Sequence, residues 1–367
     1  MTFGARALIR LGALRHNFQV IQKTAPGARV MAVVKANAYG HGLLTVANAL
    51  TGADCFGVAR LNEALALRQN GIQQPVVLLS GVYTDAELSS AFDNRLDLVV
   101  HCRHQLELLE ATAKGRATVW LKVDTGMHRL GFTQSEASDV IKRLRQCAAV
   151  EDLRLMTHLA SADDRHSRET DTQLARFRVL AANFDGDISI GNSPAIFGWT
   201  EAINEMMSSG QGRQFWVRPG IALYGISPFP QGKGADLGLQ PVMRFESRLF
   251  AVKALSRGDR VGYGGRWCAE WDTTLGLISA GYGDGYTRYL PSGTPVRVNG
   301  RAVPLAGVVS MDMAAVDLGP DATDAVGDPV VLWGDELPVE DIARHAATIP
   351  YQLVCGVTHR EPAEVRD

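Results

Sequence analysis

Cysteine is scarce: the 367 residues hold five, an odd number, at Cys55, Cys102, Cys147, Cys268 and Cys355. None forms a CxxC pair or a zinc-type spacing, so neither a disulfide framework nor a cysteine metal site is expected. No stretch approaches the ~18 consecutive apolar residues of a membrane span. The opening MTFGARALIRLGALRHNFQV lacks a basic segment followed by a long apolar one, so no secretory leader is read there. Together these absences point to a cytoplasmic chain. Charge of one sign is missing too: 37 basic and 39 acidic residues leave a formal −2. With no Lys/Arg-rich block, neither nucleic acid nor a membrane surface is an expected partner. No G-x-G-x-x-G follows the first apolar run, which argues against an open dinucleotide-binding sheet. There is no internal repeat and no low-complexity tract.

What is present is a regular alternation. Short β-rich apolar runs occur at 30–35, 55–59, 75–80, 96–101, 118–124, 154–159, 187–191 and 215–224, eight in all. Between them, 43–51, 60–70, 84–93, 102–114, 134–148, 168–183 and 195–209 carry helical spacing, and an amphipathic segment at 12–24 precedes the first run. Strand–helix alternation predicts parallel strands with right-handed crossovers, and eight such units predict a closed (β/α)8 barrel. After about residue 235 the pattern turns to alternating strands rich in glycine, with an Asn299-Gly300 hairpin signal inside Val296–Val303. The expected architecture is therefore α/β, a barrel over 11–233 followed by a mainly β domain over 234–367. The first ten residues read as a strand added to that β domain, and 338–347 as one short helix.

A barrel makes a positional prediction: polar residues at the C-terminal strand ends share one mouth. Here these are Lys35, Lys122 with Asp124, His158, Asn192 with Ser193, and Arg218. Lys35 ends a run buried on both faces, where lost solvation disfavours its charged form and makes a nucleophilic amine. The competing reading is a surface lysine at a strand end. Five convergent polar ends from different strands fit isolated surface positions poorly.

The segments VVKANAYGHG, KVDTGMHRLG, RPGIALYG and VGYGG, in that order, resemble the motifs of the alanine racemases. The resemblance runs from about residue 8 to 360 and implies the cofactor pyridoxal 5'-phosphate (PLP), carried on Lys35. It also implies that Lys35 is one of two catalytic bases, with Tyr263 of the partner subunit as the other, in a homodimer with shared active sites acting on alanine. Tyr39, His158, Asn192, Ser193, Arg218, Gly220, Ile221 and Tyr351 match cofactor-pocket positions. His158 would pack on the pyridine ring and Arg218 would face the ring nitrogen, which a guanidinium cannot protonate. Arg129, Met311, Asp312 and Tyr282 match substrate-side positions, the last three at the entrance and supplied by the partner. Lys122 matches a lysine that is often carbamylated. No metal is implied. A racemase of broader range and a non-catalytic PLP carrier built of one barrel are the competing readings; the second domain with its VGYGG segment speaks against the carrier.

Overall fold

A computed structural model describes residues 3–208, 212–358 and 360–367. Eight strands, β2 (Arg29–Val33), β3 (Cys55–Val58), β4 (Val76–Leu78), β5 (Asp97–Val100), β6 (Ala117–Lys122), β7 (Val150–Met156), β8 (Ile188–Asn192) and β9 (Phe215–Arg218), follow β1 (Arg6–Arg10). Each pairs in parallel with the next, and β9 pairs back onto β2, closing the barrel. The strands are short and most of their residues are buried, as expected where one face meets the lumen and the other the helices. The lumen is a packed core rather than a pore. Met31, Cys55, Val77, Val99, Trp120, Met156 and Trp216 form one buried cluster. In it Trp120 and Trp216 meet edge to face, 5.6 Å between centroids at 89°. The Arg154 guanidinium lies 5.2 Å and 5.3 Å from the two indoles.

Trp120 is fully buried. Replacing it by Ala is expected to destabilise the barrel by about 3–5 kcal/mol. Urea unfolding followed by fluorescence checks this, and an unchanged midpoint would mean that the lumen collapses around the gap.

The second layer is built on β10 (Met243–Leu255), whose first half alternates buried and half-buried residues. It pairs antiparallel with β1 (Arg6↔Glu246), with Thr273–Ile278 and with Pro329–Trp333. The chain's opening strand thus joins the C-terminal sheet, while Met1 and Thr2 lie outside the described residues. The hairpin forms as expected: Asn299 and Gly300 have φ of +49° and +81° between strands Pro295–Val298 and Arg301–Pro304.

Three expectations are corrected. The run 215–224 is not one strand: it ends at Arg218, and Ile221–Tyr224 is a 3-10 turn. Pro219 supplies no backbone donor and Gly220 bends away at φ −117°, ψ −93°. The helical stretch 195–209 divides into Ser193–Gly198 and Thr200–Ser208, because Trp199 leaves helical geometry at φ −131°, ψ 33°; its last position, 209, lies outside the described residues. Near the C-terminus a second helix, Pro350–Cys355, follows Val339–His345.

Candidate active site

The C-terminal ends of the barrel strands surround one cavity of about 1010 Å³. Lys35, Tyr39, Lys122, Arg129, His158, Asn192, Ser193, Arg218, Gly220, Ile221 and Tyr351 all line it. Lys35 sits just beyond β2, where the chain turns in an unusual way. Ala36, Asn37, Ala38 and Tyr39 all have φ between +52° and +55°, a left-handed turn made without glycine. Such backbone costs about 1–2 kcal/mol per residue, so local bonds must hold it. Asn37 Oδ1 accepts from Leu43 N at 2.9 Å, and Asn37 O accepts from Gly42 N at 2.9 Å. The carboxylate of Glu63 accepts from Ala36 N at 2.7 Å and, through its other oxygen, from Ala59 N and Arg60 N at 2.9 and 3.0 Å. Glu63 was not anticipated as part of the site. Its only sequence signal is its position three residues after Arg60 at a helix start.

The side chains of Lys35, Lys122 and Arg129 make no hydrogen bond or ion pair with any described residue. The Lys35 amine is held below its usual value by burial, then by the charge of Arg129. Lys122 is pulled to about 8 by burial and by Arg218, Arg129 and Lys35. Burial and the Arg218 charge push the His158 imidazole well below its ordinary value, so it is neutral at physiological pH. Arg218 is buried and meets no carboxylate among the described residues. Its guanidinium donates to Ser189 Oγ and Thr157 O, both at 2.5 Å, and lies 3.5 Å from His158 Nδ1. Burial draws it down to about 10, so it stays charged. This cluster of cations, short of acceptors, is built to take an anion.

The opposite end of the cavity has different chemistry. Ser193 Oγ accepts from Gly220 N at 2.9 Å and Ala222 N at 3.3 Å, and Asn192 Oδ1 accepts from Ala195 N at 3.2 Å. Tyr39 and Tyr351 stand 6.1 Å apart, with Tyr224 behind Tyr39 at 4.9 Å and His41 stacked on Tyr224 at 4.5 Å. A Cβ at Gly220 would lie 2.4 Å from the Tyr39 hydroxyl, so any larger residue there would have to displace the Tyr39 ring. Burial raises the pKa of both Tyr39 and Tyr351, keeping their phenols protonated as donors. From the second domain, Glu340 Oε1 accepts from Ser227 N and Gly234 N, both at 2.9 Å, and fixes the loop that walls this side.

Five of the positions singled out from sequence are not in the cavity. Asp124, Tyr263, Tyr282, Met311 and Asp312 line none of it, Asp124 being turned to the backbone of Gly126 and His128 instead. Tyr263 is 69 % exposed, on a turn whose Gly262, Gly264 and Gly265 have φ of +72°, +71° and +52°. Tyr282 and Met311 are exposed as well, and their loops are joined by Tyr282 N donating to Ser310 O and Gly283 N to Met311 O. Asp312 pairs with Arg360 at 2.8 Å.

Sequence comparison matches residues 9–228 to the family described as alanine racemase, N-terminal domain, and 242–365 to alanine racemase, C-terminal domain. The chain belongs to the alanine racemase family. The alanine racemase of Vibrio parahaemolyticus is 48% identical over 362 residues, covering 98% of each chain. That of Vibrio cholerae is 48% identical over 358 residues, 97% of this chain and 96% of that one. The solved biosynthetic alanine racemase of Pseudomonas aeruginosa superposes with a TM-score of 0.93 at 41% identity, covering all of both chains. The alanine racemase of Acinetobacter baumannii gives 0.91 at 34%, again over both whole chains. Racemases are isomerases, so the reaction is inversion at the α-carbon of an amino acid. Among the described residues no helix is long and apolar enough to cross a membrane, and no cluster could hold a metal ion.

Proposed function

We propose that the protein interconverts L- and D-alanine with PLP, by two bases drawn from two subunits of a homodimer, in the cytoplasm. The barrel of 11–233 would carry the cofactor and the domain of 234–367 would close the site of the partner. The observation that carries this reading is the Lys35 amine, unpaired and desolvated, in one cavity with His158 and Arg218.

The residues fit the cofactor at both ends. Lys35 would hold it covalently. Tyr39, Ser193, Gly220, Ile221 and Tyr351 would hold its phosphate, with protonated phenols and backbone donors suited to a dianion. Asn192, the cap of the Ser193–Gly198 helix, would keep that end in shape. Neutral His158 offers a flat face to the ring. Arg218 would face the ring nitrogen and, as a guanidinium, would not surrender a proton to it, which would limit the ring as an electron sink and discourage side reactions. When bound, PLP spreads the negative charge left on the α-carbon after its proton leaves. Arg129 takes the substrate carboxylate. Lys35, whose ammonium is disfavoured by burial, moves the α-proton on one face, and Tyr263 of the partner subunit does so on the other. Tyr282, Met311 and Asp312 would narrow the entrance.

Lys122 is read as carbamylated. An amine with a pKa near 8 is about one-quarter neutral at pH 7.5, against about one part in a thousand for an ordinary lysine, and only the neutral form adds carbon dioxide. The resulting anion would steady Arg129. Labelling with 13C-bicarbonate is expected to give one slowly exchanging carbamate resonance that Lys122→Ala removes, with kcat/KM falling about 10–100-fold. A free amine at Lys122 with full activity excludes this role.

The function is tested by incubating protein and PLP with L-alanine and following D-alanine with D-amino-acid oxidase. Bound PLP without any D-alanine would point to the carrier reading. Turnover of many larger amino acids in the same assay would point to the broader racemase.

A further inference from the structure

Gln173 is fully buried on the helix Glu169–Ala182 and points beneath the cavity. Its amide nitrogen donates to His158 O at 3.0 Å and Thr125 Oγ1 at 3.2 Å, and its oxygen accepts from Ala160 N at 2.8 Å. One side chain thus saturates both donors and an acceptor across two loops. Thr125 opens the turn that carries Arg129, and His158 and Ala160 follow β7. The bonding continues from there. Thr125 Oγ1 meets Thr157 Oγ1 at 2.8 Å, and Thr157 O accepts from Arg218 at 2.5 Å. Arg176, one turn further along the same helix, donates to Thr125 O at 2.9 Å.

Gln173 lines no part of the cavity and touches no reacting group. Yet Arg129 itself has no partner among the described residues, so its place depends on how its turn is anchored. At the turn's base Asp124 accepts from Gly126 N and His128 N at 2.9 and 3.1 Å, which shapes the turn but does not fasten it to β7. Val123 N donates to Met156 O at 2.8 Å and ties the segment to β7 before the turn; within the turn the fastening runs through Thr125, and Gln173 is the group that joins Thr125 to both His158 and Ala160.

We infer that Gln173 is a positioning residue for the reaction: it fixes the Arg129 turn against the His158 strand end, and so sets where the substrate carboxylate lies relative to the imidazole. The inference rests on the racemase reading above, and on Arg129 taking the carboxylate.

Gln173→Met keeps the length and removes all three bonds. At a temperature where the variant is folded, its KM for alanine is expected to rise at least tenfold, with kcat within threefold and the cofactor absorbance retained. Amide exchange in 124–131 and 158–162 should speed up about tenfold while 117–122 is unchanged. Gln173→Glu supplies a second variant. Its carboxylate still accepts from Ala160 N but faces His158 O without a proton, and protonation restores one donor. Its KM relative to the parent should therefore fall as pH is lowered from 8.5 to 6, whereas the Gln173→Met ratio stays flat. A folded Gln173→Met with parental KM and parental exchange in both loops overturns the inference. A parent protein that makes no D-alanine would instead overturn the racemase reading, and the exchange measurement would still decide on Gln173.

Discussion

Lys35→Ala is expected to lose the visible absorbance of enzyme-linked PLP and at least ~10³-fold in racemisation, since a general base alone contributes about 10²–10⁴-fold and the covalent attachment goes with it. The reason lies in the surroundings of the amine. It has no carboxylate partner among the described residues, it is half-buried, and burial followed by the like charge of Arg129 makes its ammonium form less favoured than in an ordinary lysine. Alanine at this position leaves the strand end and its left-handed turn in place, because the turn is held by Asn37 and Glu63 rather than by the lysine. Absorbance spectra and initial rates in both directions settle the matter. A variant that kept the absorbance and more than a tenth of the turnover would remove Lys35 from the mechanism.

Tyr263→Phe is the second large effect. The hydroxyl is the only part of the side chain that can carry a proton, and the residue is exposed on a turn of three positive-φ glycines, so its loss should cost little stability. Cofactor absorbance should be unchanged while racemisation falls about 10²–10⁴-fold. In deuterium oxide the variant should still exchange the α-proton of the enantiomer that faces Lys35, without inverting it. Full exchange of both enantiomers would show that some other group serves the second face.

Much of this is legible in the sequence, for identifiable reasons. Apolar runs such as Val30–Val34 and Val119–Leu121 need burial on both faces, and their regular spacing allows one closed topology. That is why the mouth residues can be placed from the order of the strands alone. The resemblance then supplies roles that spacing does not carry. What stays hidden depends on backbone geometry or on long-range partners. Ala36–Tyr39 turns left-handed although nothing in Ala-Asn-Ala-Tyr demands it, because Glu63, 27 residues away from Ala36, completes the turn. The break at Pro219-Gly220 is marked in the sequence, yet the apolar residues beyond it read as a continuation of the strand. Gln173 and Glu340 look like ordinary polar positions on helices, and their buried bonds to loops give no local signal.

The central claim is that each site is assembled from two chains. Inactive Lys35→Ala and Tyr263→Phe proteins, mixed and allowed to exchange subunits, test it most directly. In a mixed dimer one site regains both native groups and the other has neither, so random exchange should restore about a quarter of parental activity. If both groups act within one chain, every site in every dimer lacks one of them, and activity would stay at the level of the separate variants.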